Sequence, residues 1–480
     1  MMEKYITCSA PCGKIRGRIK SSGIAEFLGI PYGISKLFCS PKPISWEGER
    51  DCLEYGNRAL QPNFKDARPP EVVFKMEGNS DCLNLNVWSA DVTSEQKLPV
   101  VVYIHGGAYQ KGSNSQPERA GDRFMEQEQM VFVSINYRLG VFGFLQLEDE
   151  AYVTSGNNGV LDILLAMRWV KDNISAFGGD SNKITVMGIS AGAKVIGSLL
   201  THPDFQKCCN QIILESGAMQ TFRTLETAQQ ITARYKAVLG IKDESELFTL
   251  PEEQLVRAQS VLCDALGTVC YFGPVLDDKV FRLDWKERWE QGKGWHGNAI
   301  LGSNKCECYS TVNSSHFSEP KDQILKNLFG NQAVIAQNMF DYCRPSFETD
   351  YETWMNVLSD FMYRYYTDDL ANTLEMDGCK VWNYSFEFGI ACHAMGFGFI
   401  MGQQHEARFH IAPKDKQIVD TISKTMRRMI HQFILTGTPA PDFEWSCYQG
   451  GNKMVFDRDI RCEYRPKDTL NGFPDQVFRL

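Results

Sequence analysis

The sequence predicts an α/β protein built on a mostly parallel central sheet flanked by helices. Three observations carry this. Residues 98–104, LPVVVYI, and 130–137, MVFVSINY, are near-continuous apolar runs, the pattern of strands buried on both faces. Residues 161–174, LDILLAMRWVKDNI, repeat their apolar positions every three or four residues, as a helix does. Residues 184–187, ITVM, run into Gly188-Ile189-Ser190-Ala191-Gly192, and a helical pattern follows until His202-Pro203. Strands alternating with helices give a parallel sheet with right-handed crossovers.

The elements follow in order. Residues 5–35 read as short strands and turns, and 46–56 as a loop. Residues 61–80 form a polar, Pro-containing surface loop. Residues 82–88, CLNLNVW, alternate like a strand. The strand 98–104 ends in the glycine loop His105-Gly106-Gly107-Ala108-Tyr109. Gly178-Gly179-Asp180 ends the helix 161–174. Residues 211–214, QIIL, are a strand closed by Glu215-Ser216-Gly217. Helical patterns cover 224–238, 243–249, 251–265 and 320–375. Strands are expected at 300–302 and 381–386, with a loop over 303–310. A long amphipathic helix over 415–435 stops before Gly437-Thr438-Pro439.

The chain has 480 residues, 43% hydrophobic and 23% charged, an ordinary globular composition. No linker or repeat divides it, so one domain over 1–480 is expected despite the length. Formal charge is −9, which argues against nucleic acid and anionic membrane as partners. Arg427-Arg428 reads as a solvated helix face. The N-terminal residues lack a signal-peptide apolar core, and no apolar run reaches a membrane span. A cytoplasmic location is the expectation. The 16 cysteines are then reduced thiols. Cys208-Cys209 and Cys306-Glu307-Cys308 lack a second ligand pair nearby in sequence, so no metal is expected.

Gly188-Ile189-Ser190-Ala191-Gly192 fits G-x-S-x-G in its strand–turn–helix context. The turn strains the serine backbone and exposes the hydroxyl, and the glycines keep side chains clear of it. A serine nucleophile needs a base, an orienting acid and an oxyanion site. In such folds the acid and then the histidine follow the serine. His393 is favoured as base because it lies in a small, Gly-bearing loop after a strand. His202, His296, His316, His405, His410 and His431 occupy polar or helical settings. Glu307, just past a strand, is the candidate acid, with Asp277-Asp278 as rival. His105-Gly106-Gly107-Ala108 is glycine-rich enough to offer amides to an oxyanion, and Ala191, after the serine, offers another.

The chain resembles the type-B carboxylesterase/cholinesterase family, most of all bacterial carboxylesterases of the para-nitrobenzyl esterase kind. The resemblance rests on FLGIPYG (27–33), DCLNLNVW (81–88), YIHGGAYQKG (103–112), NYRLGVFGFL (136–145), GNNGVLDILLAMRWVKDNISAFGGDSNKITVMGISAG (156–192), ESGA (215–218), GPVLDD (273–278), LGSNKCE (301–307) and TGTPAP (436–441). It implies an α/β-hydrolase fold with helical insertions, about 222–375, over an active-site gorge. It implies a serine hydrolase that cleaves carboxylic esters through an acyl-enzyme. Ser190 matches the nucleophile, Glu307 the acid and His393 the base; Gly107, Ala108 and Ala191 match the oxyanion donors. No cofactor is implied. The expected partner is a small, uncharged, apolar ester, and the chain a monomer or homodimer. The other reading is a catalytically weak or inactive binding protein of the same fold.

Departures from the family pattern are local. Ile189 stands where the family usually has Glu, Cys308 where the acid loop has Gly, and Gly396 and Gly398 where acids often follow the histidine. Leu37 and Ser80 replace an Arg–Glu ion pair. The cysteine that would pair with Cys82 is absent from 61–80, and so is the tryptophan of a choline site. Ile189, Phe272, Met395, Phe397 and Phe399 are the candidate substrate-pocket residues, with plain core as the alternative.

Overall fold

The strands fall into two units, each dense in its own internal contacts. A computed structural model describes residues 4–63, 75–126, 128–220, 222–264, 271–309, 333–442, 444–465 and 477–478. The first unit comprises Met1–Ile184, His202–Cys208 and Thr221–Glu287; the second comprises Thr185–Thr201, Cys209–Gln220 and Arg288–Leu480.

In the first unit the principal strands are β1 (Lys4–Ala10), β2 (Gly13–Ile19), β3 (Ala25–Pro31), β4 (Asn84–Ser89), β5 (Leu98–Ile104) and β6 (Val131–Ile135). Their order is β1-β2-β3-β4-β6-β5. Pairing is antiparallel from β1 to β6 and parallel between β6 and β5. The two β-branched runs are therefore the buried strands, as expected. Helix α1 (Asn158–Asn173) buries Val160, Ile163, Met167 and Val170 along one stripe. Gly178, at φ 85°, closes the turn that follows, a conformation glycine adopts without strain.

Strand β4 forms where the alternation of 82–88 places it, and all six of its residues are buried, the asparagines included. The reason is hydrogen bonding. Asn84 Nδ2 donates to the Asn57 carbonyl at 2.9 Å, and Asn86 Nδ2 to the Asn114 carbonyl at 3.0 Å. The polar face is satisfied by loops rather than water. Of the loop 61–80, residues 64–74 lie outside the described residues, and Gln61 is buried.

The second unit holds the parallel strands. They are β7 (Gly179–Ile189), which belongs to this unit from Thr185 on, β8 (Gln211–Glu215), β9 (Asn298–Asn304), β10 (Lys380–Phe386) and β11 (Asn452–Phe456), in that order. Strand β12 (Arg461–Tyr464) adds an antiparallel edge. Register aligns Ile189 with Glu215, Glu215 with Gly302, and Gly302 with Tyr384. One row of side chains thus crosses four strand ends. Strand β9 runs longer than the sequence pattern suggests, so Ser303 and Asn304 are strand residues. The short helices α2 (Ala191–Leu199) and α3 (Met395–Ile400) follow β7 and β10. The long α4 (Lys416–Thr436) buries Val419, Ile422, Met426, Met429, Ile430 and Phe433 and stops at Gly437, φ 84°.

The helices expected over 222–375 are present where the chain is described. Leu225–Leu239 and Glu252–Asp264 lie in the first unit; Ala333–Cys343, Asp350–Ser359 and Tyr365–Met376 lie in the second. Residues 310–332 fall outside the described residues.

Arg138 and Asp162 form a buried, two-pronged ion pair in the first unit. Nε and Nη2 reach the two carboxylate oxygens at 2.8 and 2.7 Å. Breaking one side strands a buried charge. Asp162→Ala will therefore lower the unfolding free energy by about 3–5 kcal/mol in urea titration, whereas Arg138→Met with Asp162→Leu will cost far less.

Candidate active site

The G-x-S-x-G segment folds as a sharp turn between β7 and α2. Ser190 sits at φ 55°, ψ −124°, a conformation L-residues rarely adopt. Two backbone bonds hold it there. Ser190 N donates to the Glu215 carbonyl at 2.9 Å, and Lys194 N donates to the Ser190 carbonyl at 2.8 Å. Gly188 lets strand and helix meet: a Cβ there would lie 2.5 Å from Ile196 Cδ1 and 2.7 Å from the Gly192 carbonyl carbon.

Side chains from three strand ends of the second unit converge on this turn. His393 Nε2 lies 2.9 Å from Ser190 Oγ, and His393 Nδ1 lies 2.6 Å from Glu307 Oε2. Glu307 is fully buried; its Oε1 accepts from Asn304 N at 2.8 Å and Asn304 Nδ2 at 3.1 Å. Burial pushes the Glu307 carboxyl up, but the charge and hydrogen bond of His393 outweigh it and hold the carboxyl below its ordinary value. The Tyr363 ring packs on the imidazole, centroids 4.7 Å apart. The arrangement suits proton transfer from a hydroxyl to an oriented imidazole.

The Cys306-Glu307-Cys308 loop keeps its shape through backbone bonds. Cys306 N donates to the Ala391 carbonyl at 3.0 Å, and Cys308 N donates to Ser359 Oγ at 3.0 Å. The acid loop and the histidine loop are tied directly together. Burial pushes the Cys308 thiol up to about 12. Among the described residues, no cluster of three or more His, Cys, Asp or Glu side chains is placed to hold a metal.

The remaining candidates are placed as follows. In the first unit, the loop after β5 turns through three positive φ values: Gly107 at 119°, Ala108 at 57° and Tyr109 at 61°. A Cβ on Gly107 would lie 1.9 Å from the Lys111 carbonyl oxygen. Ala191 is the first residue of α2, where backbone N–H groups lack helical partners. Ile189, Met395, Phe397 and Phe399 are buried in the second unit, and Phe272 is buried in the first. Asp277 Oδ1 accepts from the amides of Lys279, Val280 and Phe281, and Oδ2 from Asn157 Nδ2. His405 pairs with Asp420, and His202 caps the turn that starts at Pro203. His316 lies outside the described residues. Leu37 and Ser80 line one cavity of about 320 Å³, with Cys82 and Arg138 beside them.

Sequence reasoning gave no role to the residues behind Glu307. Asn304 Nδ2 lies 2.9 Å from Glu215 Oε1 and 3.0 Å from Ser216 Oγ. The Tyr384 hydroxyl donates to Glu215 Oε2. Gly302 makes this contact possible: a Cβ there would lie 2.0 Å from Cζ of the Tyr384 ring. The only hint was Glu215 inside ESGA; its partners lie far along the chain.

A model of the carboxylesterase family matches residues 4–469. Para-nitrobenzyl esterase of Bacillus subtilis is 30% identical over 95% of each chain. A Geobacillus stearothermophilus carboxylesterase superposes with a TM-score of 0.84 at 29% identity, covering 96% of this chain and 98% of that one. A thermophilic para-nitrobenzyl esterase gives 0.82 at 30% identity, covering 96% and 98%. The mostly parallel sheet with flanking helices is thus that of the α/β-hydrolase fold. The chain belongs to the carboxylesterase family and is a carboxylic ester hydrolase.

Proposed function

We propose that hydrolysis runs through an acyl-enzyme on Ser190. The observation that carries this is the hydrogen-bonded chain Ser190 Oγ–His393–Glu307. His393 Nε2 takes the hydroxyl proton as Oγ attacks the ester carbonyl carbon. Glu307 orients the ring through Nδ1 and stabilises the imidazolium that forms. The amides of Gly107, Ala108 and Ala191 donate to the oxyanion. The tetrahedral intermediate collapses, His393 protonates the leaving alkoxide, and the alcohol departs. Water then attacks the acyl group, with His393 as base again, and releases the acid.

The substrate we infer is an uncharged, apolar ester. Ile189 precedes the nucleophile and is buried, and it brings no charge to that position. A carboxylate there would favour a cationic substrate.

Ser190→Ala will lower kcat for p-nitrophenyl esters by roughly a thousandfold or more while KM stays near the wild-type value. Wild-type turnover by that variant refutes the nucleophile. Glu307→Gln keeps the shape but not the charge, so kcat will fall roughly 10³–10⁴-fold in stopped-flow assays. Ile189→Glu will depress kcat/KM for the octanoate ester more than for the acetate ester; parallel losses contradict the apolar-substrate reading.

A further inference from the structure

A second carboxyl lies behind the triad, and the mechanism above does not use it. Glu215 ends β8 with no side-chain exposure. In the cross-strand row it stands between Ile189 and Gly302, with Tyr384 one strand further on. Aligned residues of a parallel sheet share a face. Gly302 leaves that face open, so Tyr384 reaches across it to Glu215 Oε2. Oε1 faces Asn304 Nδ2 at 2.9 Å and Ser216 Oγ at 3.3 Å. Every partner is a neutral donor.

Asn304 joins this carboxyl to the reacting groups. Its Nδ2 also lies 3.1 Å from Glu307 Oε1, so one amide bridges two buried carboxyls. Its Oδ1 accepts from Gly396 N at 2.9 Å, in the segment that follows His393. Gly396 backs directly onto Glu215: a Cβ there would lie 3.0 Å from Glu215 Oε1.

We propose that Glu215 is a positioning residue for ester hydrolysis, which orients Glu307 and the His393 loop through Asn304 and, where it is ionised, stabilises the imidazolium that forms during reaction. The role rests on the Ser190–His393–Glu307 reading. Two buried carboxyls this close do not ionise independently. Glu307 is held as an anion by His393, so the proton falls to Glu215. Burial first, and then the Glu307 charge, raise the Glu215 carboxyl to about 7. The titratable and charged groups around it are Glu307 beyond β9, Tyr384 on β10 and, past Glu307, His393. On α2, Lys194 packs beside Gly217 with its ammonium 4.5 Å from the centre of the Tyr363 ring.

The sign of the stability effect follows. A carboxyl whose value is raised on folding binds its proton more tightly in the native state. Wild-type stability is therefore lost progressively as pH rises from about 4.5, the ordinary value, to about 7. Glutamine at 215 does not titrate. The melting temperature of Glu215→Gln relative to wild type will thus climb over that window and level off above it.

The rate profile supplies the second readout. The Glu215 anion, present above about pH 7, stabilises the imidazolium that forms during reaction. In Glu215→Gln the high-pH plateau of p-nitrophenyl acetate hydrolysis will fall about threefold, whereas below that pH, where wild-type Glu215 carries its proton, the two rates will converge. Tyr384→Phe removes a donor to the anion while keeping the carboxyl, and its stability inflection will move to higher pH than in wild type. Rate profiles that superimpose, or stability curves that run parallel across the window, overturn the proposal. A wild type that hydrolyses no ester overturns the esterase reading and the role together, whereas the stability curves report the Glu215 proton by themselves.

Discussion

The Ser190 backbone is the constraint on which the site depends. A residue at φ 55° and ψ −124° stores strain, and it persists only where neighbours over-determine it. Here they do. The Ser190 amide is fixed to β8 through the Glu215 carbonyl, and its carbonyl opens the first turn of α2. The price of aiming one hydroxyl is thus met by a strand on one side and a helix on the other. Gly188 and Gly217 follow from the same demand: a Cβ at 188 would run into the start of α2, and one at 217 would lie 2.7 Å from the Ser190 carbonyl oxygen. The backbone of β8 holds Ser190 while its last side chain meets Asn304, which in turn reaches Glu307. One strand end therefore serves both residues that His393 touches.

Charge in the second unit is arranged around the imidazole rather than around the serine. Ile189 adds none beside Ser190, and Gly396 and Gly398 add none after His393. The acidic groups stand behind, at Glu307 and Glu215, joined by the Asn304 amide. In the proposed mechanism a carboxylate placed there stabilises a charge that appears on His393 during reaction, while the residue before Ser190 stays apolar.

Much of this was legible in the sequence because it depends on local pattern. The β-branched runs of β5 and β6, the stripe of α1 and the Gly437 stop of α4 all obey short-range rules. The turn at Ser190 is equally local, since strand, glycines and helix are contiguous. What could not be read is what pairs across the fold. The strand β4 is legible from its alternation, but not that Asn84 and Asn86 are buried because distant loops offer carbonyls to them. Asn304 was expected in a loop and is the last residue of a strand, where its side chain meets four partners. Glu215 and Tyr384 are 169 residues apart and meet only because two intervening register alignments place them in one row. Periodicity carries no information about such a row.

Gly302 has a consequence for how this protein can change. Position 302 and the Tyr384 ring occupy the same space, since even a methyl group on the glycine would overlap the ring. Any larger residue at 302 is admissible only after position 384 has shrunk, and shrinking 384 first removes the hydroxyl from Glu215. The two sites form a ratchet in which the order of substitution matters. A library that varies one position at a time will find both closed, and the alternative packings of this wall are reachable only by changing the pair together.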